Sequence, residues 1–304
     1  DRPCAEMGSR RTHEWAAVGA ARAAYIAGFS ATSNLEAGRA YGIPTMGTAA
    51  HSFTLLHDSE EDAFRAQLSA LGVETTLLVD TYDVEAAIRK GVELTGGRLG
   101  AIRLDSGDLP MMARQARDLL DDLGATNTRI TVTSDLDEWQ IAALRGAPVD
   151  GFGVGTSLVT GSGHPTCGFV YKLVARSESA DREAPMTPVG KKSKGKNTLG
   201  GRKFAMRRLG ESGRAEAEII GLGAAPVGDG NDRHLLVDIV KEGQRVFPGT
   251  LEDARTRHRE SLAELPLSAL RISRGDPAIE TIILDGTGTQ TTNPYQAAPR
   301  PANL

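Results

Sequence analysis

Polar and apolar residues alternate between positions 101 and 105, where Arg103 and Asp105 occupy the polar positions. This period of two is typical of a β-strand whose side chains point to opposite faces. A turn follows, and an amphipathic helix is predicted from Leu109 with Asp108 as its N-cap. The pattern therefore places an arginine and a carboxylate together at the carboxyl end of a strand, where α/β enzymes build active sites. A structural ion pair inside the sheet is the alternative.

Short apolar strands and amphipathic helices alternate in this way along the first 176 residues. Strands are predicted at 43–48, 74–80, 101–105, 129–133, 149–154 and 170–174, and helices at 12–29, 35–41, 58–71, 83–94, 109–123 and 136–144. Strands that alternate with helices at this spacing form a parallel sheet, either open or closed into a barrel. The number of units and the polar residues at the strand ends favour an α/β barrel for residues 1–176.

The pattern changes after Arg176. A polar segment and a lysine cluster at 190–203 precede two apolar strands, predicted at 203–209 and 215–222 as a pair. Weaker β signals lie at 235–240 and 246–247, and a helix is predicted at 251–265. We therefore expect residues 177–284 to form a basic loop and an α+β portion. Residues 285–304 are rich in Gly, Thr, Pro and Ala and are predicted to be a disordered tail.

Composition narrows the class of protein. The chain has 304 residues, 40% of them hydrophobic, and a net charge of −4, which argues against nucleic-acid binding as its main role. No apolar run reaches the length of a membrane span, and the first residues lack a signal-peptide pattern. The two cysteines, Cys4 and Cys167, lie far apart and suit free thiols in a reducing compartment. These features predict a cytoplasmic α/β protein.

Three further positions are candidates for chemistry. Arg10 and Arg11 stand near the start of a predicted helix, where cations are disfavoured, so they could await an anion or simply reach solvent. His51 lies among the small residues Gly47, Ala49 and Ala50, which leave room for a ligand. A lone histidine is nevertheless more often structural.

Two glycine-rich segments invite nucleotide interpretations. Residues 151–156 do not match the spacing of a dinucleotide-binding loop, and Gly155 with Thr156 is better read as a phosphate pocket at a late barrel strand, or as a plain tight turn. Residues 190–196 match GxxxxGK but lack the following Ser or Thr and a preceding apolar strand. A solvated basic loop, or one that visits a polyphosphate substrate, fits this second segment better than a P-loop.

These pieces, taken in order, resemble the nicotinate phosphoribosyltransferases, a family of the type II phosphoribosyltransferase group. The matching stretches are 6–11, 28–34, 47–53, 77–82, 102–109, 134–138, 153–158 and 170–173. The resemblance implies an irregular α/β barrel that makes nicotinate mononucleotide and pyrophosphate from nicotinate and phosphoribosyl pyrophosphate. It also implies coupling to ATP hydrolysis, a requirement for Mg²⁺, a place in NAD salvage and a homodimer with sites near its interface.

The resemblance also assigns roles to single residues. His51 matches the histidine that the family phosphorylates with ATP, and Thr48 and Arg103 match residues at the nicotinate carboxylate and ring. Asp105 and Asp135 match carboxylates near the ribose hydroxyls, and Arg10 an arginine at the phosphoribosyl donor. Gly155 and Thr156 match the cradle of the 5′-phosphate. Ser33 lies where nicotinamide-using relatives carry an aspartate, and an uncharged residue there suits an acid substrate.

Two departures from the family pattern matter. Met7 stands where the family usually has an aromatic residue, so stacking on the pyridine ring is expected to change. The family also carries an N-terminal segment that contributes a tyrosine to the substrate site, and this chain begins after it. The alternatives are therefore a non-catalytic remnant that binds a nucleotide or a partner, and a phosphoribosyltransferase for another pyridine base.

Overall fold

The computed structural model describes residues 2–162, 164, 166–181, 183–193, 198–273 and 275–291. The chain divides into two units, Asp1–Cys167 with Leu251–His258, and Gly168–Thr250 with Arg259–Leu304. The first unit therefore ends before the boundary predicted at residue 176. It also takes in residues that the sequence pattern assigns to the C-terminal portion.

The first unit alternates strands and helices as predicted. Its strands are β1 (Cys4–Glu6), β2 (Ala31–Thr32), β3 (Thr76–Leu78), β4 (Ala101–Leu104), β5 (Arg129–Val132) and β6 (Gly151–Val154). Its helices are α1 (Glu14–Ile26), α2 (Leu35–Tyr41), α3 (His51–Leu55), α4 (Glu60–Leu71), α5 (Val84–Thr95), α6 (Leu109–Asp122), α7 (Glu138–Ala143) and α8 (Thr156–Thr160). A 3₁₀ turn at Ser9–Arg11 follows β1.

Among the described residues of this unit, six strands form one parallel sheet in the order β2-β1-β6-β5-β4-β3. Consecutive strands are neighbours except for β2 and β3, and β6 lies beside β1, which is the neighbour pattern of a barrel that is open between β2 and β3. β2 and β3 are the two edges, so the predicted irregular barrel takes the form of a curled half-barrel. The α/β class is confirmed. Because every strand runs the same way, all six carboxyl ends meet at one edge of the sheet.

The core of the unit lies on both faces of the central strands. Leu77, Ile102 and Ile130 are completely buried on β3, β4 and β5, and helices α5 and α6 contribute Ile88 and Leu120. All positions of β6 are buried, as expected for a parallel strand covered on both faces. Burial at this level fixes the register of the strands and hence the positions of the residues that follow them.

The helix starts follow the predicted capping chemistry. Asn34, Ser59, Asp83, Asp108 and Asp137 each accept a hydrogen bond from the backbone N–H three residues later. Each of these bonds satisfies one of the donors that a helix N-terminus leaves open. The predicted helix at 35–41 is confirmed, and it ends at Gly42, whose backbone is left-handed.

Two predicted strands are wrong. In the 43–48 segment, Thr45 alone forms an isolated bridge, to Thr32, so His51 begins helix α3 instead of following a strand. Residues 170–174 form neither strand nor helix, and Tyr171 is fully exposed. Both segments carry apolar residues, but an apolar run becomes a strand only where a neighbouring strand offers hydrogen-bond partners.

The second unit, in the region where an α+β portion is predicted over 177–284, contains mostly strands and the end of one helix. Its elements are β7 (Ala175–Arg176), β8 (Thr187–Pro188), β9 (Lys203–Leu209), β10 (Ala215–Leu222), β11 (Arg233–His234), β12 (Val240–Lys241), β13 (Gln244–Arg245), the end of α9 (Leu251–Ala263), β14 (Glu280–Leu284) and β15 (Gln290–Thr291). The predicted pairing of β9 with β10 is confirmed and is antiparallel. Strands β14 and β15 were not foreseen, and their pairing corrects the tail prediction for 285–291. Residues 292–304, and 194–197 of the lysine cluster, lie outside the described residues.

In the part of the chain that the structure describes, no helix is both long enough and apolar enough to cross a lipid bilayer.

Candidate active site

The carboxyl ends of the parallel strands surround a cleft of about 240 Å³ in the first unit. Met7 follows β1, Asp105 follows β4, Thr133 to Asp135 follow β5, and Gly155 follows β6. The residues that line the cleft come from several distant stretches of the sequence. They are Met7, Arg10, Arg11, Arg103, Asp105, Thr133, Ser134, Asp135, Gly153, Gly155 and Thr156. The cleft therefore lies at the edge of the sheet where α/β folds place their ligands.

The guanidinium group of Arg103 contacts four residues beside the cleft. Its Nη1 donates to Thr48 Oγ1 at 2.7 Å and to the Ala49 carbonyl at 3.3 Å, and its Nε donates to Thr133 Oγ1 at 2.8 Å. Its Nη2 lies 2.9 Å from Asp105 Oδ1. A planar guanidinium with this many partners has one orientation and presents a fixed positive charge to the cleft.

Asp105 pairs with Arg103 and accepts a short hydrogen bond from Thr133 Oγ1. Burial raises the pKa of Asp105, but the hydrogen bonds from Thr133 and Arg103 and the positive charge of Arg103 outweigh the effect of burial. The net pKa of this carboxyl group is below its ordinary value, so Asp105 is a carboxylate at neutral pH. Its negative charge faces the same cleft as the guanidinium.

His51 reaches the same group of residues from the start of α3. Its Nε2 lies 3.8 Å from Asp105 Oδ2 and 3.9 Å from Asp80 Oδ1, and its Nδ1 lies 3.1 Å from Thr81 Oγ1. The imidazole is 41% exposed. It does not line the 240 Å³ cleft itself but stands behind the carboxylate that does. His51, Arg103 and Asp105 therefore form one cluster around the Asp105 carboxylate.

Asp80 is a site residue that the sequence analysis missed. Its side chain is 2% exposed, and its Oδ2 accepts from the Asp105 N–H and from Ser106 Oγ, each at 2.8 Å. Its Oδ1 is buried, has no hydrogen-bond partner among the described residues and faces His51. The sequence did contain a signal for Asp80, because Asp80 follows β3 as Asp105 follows β4. In adjacent parallel strands, the residues that follow the carboxyl ends lie close together.

The other side of the cleft carries groups suited to phosphate. Gly155 and Thr156 lie at the end of β6, and Thr156 Oγ1 donates to Asp135 Oδ1 at 3.3 Å. Arg10 and Arg11 are exposed on the turn after β1, and their guanidinium groups make no hydrogen bond or ion pair with any described residue. Two cations facing a cleft without a protein partner are available to an anionic ligand.

The remaining predicted residues are placed differently. Thr48 acts through its contact with Arg103 and does not line the cleft. Ser33 follows β2, its N–H donates to the Glu6 carbonyl at 2.8 Å, and it too is outside the lining. Met7 does line the cleft and packs over Gly153, where an added Cβ would lie 2.6 Å from its sulfur.

No family model matches this chain. Nicotinate phosphoribosyltransferase pncB1 of Mycobacterium tuberculosis is 53% identical over 289 residues, which are 92% of this chain and 63% of the relative. The chain belongs to the nicotinate phosphoribosyltransferase family. The enzyme of that name from Bacillus subtilis is 40% identical over 240 residues, which are 75% of this chain and 48% of the relative. The chain thus spans less than two thirds of the length of these family members.

Solved structures support the fold. Human nicotinic acid phosphoribosyltransferase superposes with a TM-score of 0.70 at 24% identity, over 93% of this chain and 68% of the human chain. Nicotinate-nucleotide pyrophosphorylase from Pyrococcus furiosus gives 0.68 at 22% identity, over 86% and 66% of the two chains. Both likenesses therefore agree with the α/β fold described above.

Proposed function

We propose that this protein forms nicotinate mononucleotide and pyrophosphate from nicotinate and phosphoribosyl pyrophosphate, coupled to ATP hydrolysis, in NAD salvage. The observation that carries the proposal is the convergence of His51, Arg103 and Asp105 at one edge of the sheet. The cleft beside them also holds Arg10 and Arg11, whose side chains have no partner among the described residues. Membership of the family agrees with it, because relatives that share this sequence bear the name of that enzyme.

Arg103 is the proposed binding group for the base. Its guanidinium is fixed by Thr48, Thr133 and Asp105, so it can meet a carboxylate without first losing conformational freedom. Nicotinate carries such a carboxylate, whereas nicotinamide does not. The uncharged Ser33 near the strand ends does not oppose an acid substrate.

Asp105 is the proposed group that supports the transfer. The ring nitrogen of nicotinate forms a bond to C1 of the ribose while the bond from C1 to the pyrophosphate oxygen breaks, and positive charge develops on the sugar. A carboxylate that stays ionised opposite that charge stabilises the transition state. Asp135 would hold ribose hydroxyls, Gly155 and Thr156 the 5′-phosphate, and Arg10 the pyrophosphate that leaves.

His51 is the proposed acceptor of phosphate from ATP. If Nδ1–H donates to Thr81 Oγ1, Nε2 carries the free electron pair and is the nucleophile. Nε2 bonds to the γ-phosphorus as the bond to the β,γ-bridging oxygen breaks, and ADP leaves. Water then hydrolyses the phosphohistidine after the transfer step.

The residues of the cleft suit a Mg²⁺ ion that binds together with the phosphates of the substrate. No cluster of three metal-ligating side chains occurs in the described part of the chain, so a cage made of protein alone is not expected there. Mg²⁺ is usually held by one or two carboxylates together with substrate phosphates, and Asp105 and Asp135 are the two carboxylates of the cleft. When bound, the ion would neutralise charge on the pyrophosphate. A homodimer and a cytoplasmic location stay predictions.

The proposal is tested by offering the purified chain phosphoribosyl pyrophosphate, Mg²⁺ and ATP with nicotinate, nicotinamide or quinolinate, and separating the products by chromatography. We expect nicotinate mononucleotide from nicotinate and its loss in Arg103→Gln, while the exposed Arg65→Gln control keeps it. Preferential use of another base would assign a different substrate. Binding of phosphoribosyl pyrophosphate without product from any base would identify a non-catalytic remnant.

A further inference from the structure

A carboxylate that the proposed chemistry does not use lies next to the turn that carries Arg10 and Arg11. Glu6 ends β1, is 1% exposed and forms no ion pair with any described residue. Its Oε1 accepts a short hydrogen bond from the Gly8 N–H, and its Oε2 accepts another from Thr32 Oγ1 at the end of β2. A buried carboxylate is retained at a high desolvation cost, so both of its oxygens have to be satisfied in the folded protein.

The hydrogen bonds continue from Glu6 into a closed ring. Thr32 Oγ1 accepts from the Asn34 N–H at 3.0 Å, and Asn34 Nδ2 donates to Ser9 Oγ at 3.1 Å. Ser9 follows Gly8, whose N–H bonds to Glu6, so the path returns to its start. The ring of Glu6, Thr32, Asn34 and Ser9 therefore joins the ends of β1 and β2 to the turn at Ser9–Arg11.

The ring holds the turn that lines the cleft and the segment around Ser33, which lies outside the lining. Arg10 and Arg11 follow Ser9 directly and line the cleft. Ser33 lies between Thr32 and Asn34, and its own N–H donates to the Glu6 carbonyl at 2.8 Å. Gly8 leaves no room for a side chain, because an added Cβ there would lie 2.3 Å from Val159 Cγ1 and 2.9 Å from the Gly155 carbonyl.

We propose that Glu6 is a positioning residue that, through this hydrogen-bonded ring, fixes the arginine turn for the phosphoribosyl donor. The proposal rests on the proposed function, since phosphoribosyl pyrophosphate is the ligand that the arginines would bind. Without the ring, an exposed turn that carries two cations would lose conformational freedom when the ligand binds, and this loss would weaken binding. The ring fixes the turn before the ligand binds, so this entropic cost is smaller.

The test uses variants of the ring and not of Glu6 itself, because loss of a buried carboxylate could unfold the chain. Thr32→Val keeps the volume but removes two ring bonds, Thr32→Ser keeps both, and Ser9→Ala removes one bond at a partly exposed position. Thr95→Val is the matched control, since Thr95 is a buried threonine on α5 whose hydroxyl donates to the Gly91 carbonyl away from the cleft.

Two measurements are made on each variant. Calorimetric titration with phosphoribosyl pyrophosphate and Mg²⁺ gives the dissociation constant, and hydrogen exchange reports the amides of residues 7–12. We expect Thr32→Val to weaken binding by about tenfold and Ser9→Ala by about threefold, with Thr32→Ser and Thr95→Val within about twofold of the parent. Amide exchange at 7–12 should accelerate in Thr32→Val and Ser9→Ala only.

The outcomes separate the two proposals. Equal binding in Thr32→Val and Thr95→Val, or unchanged exchange at 7–12, overturns the positioning role. If Thr32→Val does not fold, Ser9→Ala decides by the same criteria. If the parent chain binds no phosphoribosyl pyrophosphate, the proposed function fails and the positioning role for this donor falls with it, while exchange at 7–12 still reports whether the ring holds the turn.

Discussion

His51 Nε2 lies 3.8 Å from Asp105 Oδ2, although the two residues come from different elements, the start of α3 and the end of β4. The Asp105 carboxylate also lies 2.9 Å from the Arg103 guanidinium. One carboxylate therefore links the imidazole to the fixed cation of the cleft. This shared contact makes the proposed phosphorylation of His51 and the proposed transfer at the cleft neighbouring events.

Replacement of the Asp105 carboxylate should lower the catalytic rate while the protein still folds. We expect Asp105→Asn to lower the rate of nicotinate mononucleotide formation by about 10²- to 10³-fold, because a neutral amide does not stabilise positive charge on the ribose. Steady-state kinetics measure the rate, and thermal melting checks the fold. Asp122→Asn, on the exposed end of α6, is the control and should keep full activity. An active Asp105→Asn enzyme would remove the carboxylate from the mechanism.

Stability should depend on the ionisation of Asp105 in acid. The pKa of this group in the folded protein is below its unfolded value of about 3.9. A carboxyl group of this kind adds stability that is complete above the unfolded pKa and is lost as the pH falls through the lower, folded pKa. Urea unfolding of the parent and Asp105→Asn at a series of pH values should show a constant difference above about pH 5 that shrinks below about pH 4. A difference that grows on acidification would contradict the lowered pKa.

Labelling should identify the phosphorylated residue. ATP that carries a radioactive γ-phosphate should label the parent chain and His57→Ala but not His51→Ala. His57 is a suitable control because it lies close along the chain and its Nδ1 is already bonded to the Phe53 carbonyl. Acid-labile label on the parent is the expected form. Equal labelling of both variants would exclude His51 as the acceptor.

Ser134 should store backbone strain at the cleft. Its φ is +117°, a value that residues with a side chain rarely adopt. We expect Ser134→Gly to raise the free energy of unfolding by about 1 kcal/mol, because glycine adopts this φ without a steric penalty. Ser134→Ala loses the hydroxyl but keeps the strain and should not stabilise the protein. Chemical denaturation of the two variants tells strain from hydroxyl loss.

Glu264 should stabilise the second unit through two arginines. Its carboxylate contacts Arg233 Nη2 at 2.6 Å and Arg207 Nη1 at 3.0 Å, and hydrogen bonds from Arg233 and Arg207 lower the pKa of Glu264 despite partial burial. We expect Glu264→Gln to destabilise this unit by about 2 kcal/mol, the value of charged hydrogen bonds that are lost at a partly buried site. Glu260→Gln, on the exposed surface of α9, should change stability little. Urea unfolding followed by circular dichroism compares them.

Local chemistry explains what could be predicted along the chain. Asn34, Asp83 and Asp108 begin their helices because a side-chain oxygen next to an amphipathic run satisfies a free N–H in any tertiary context. Strand β4 and the residues Arg103 and Asp105 were predictable for the same reason, since alternation and a following cap are properties of neighbouring residues. The family resemblance supplied the roles of single side chains, which periodicity could not.

The tertiary structure alone decided what depends on contacts between distant residues. β1 is the short run Cys4–Glu6, which has no strand pattern and is a strand only because β2 and β6 pair with it. The contact of Asp80 with His51 and the ring around Glu6 join side chains that are separated along the chain by a helix or more. The sequence by itself determined the helix starts and the polar strand ends, because those are short-range effects. The order of the strands in the sheet decided which strand ends meet and which buried carboxylate lies beside which cation. That order depends on hydrogen bonds between distant strands, so no single stretch of the chain determines it.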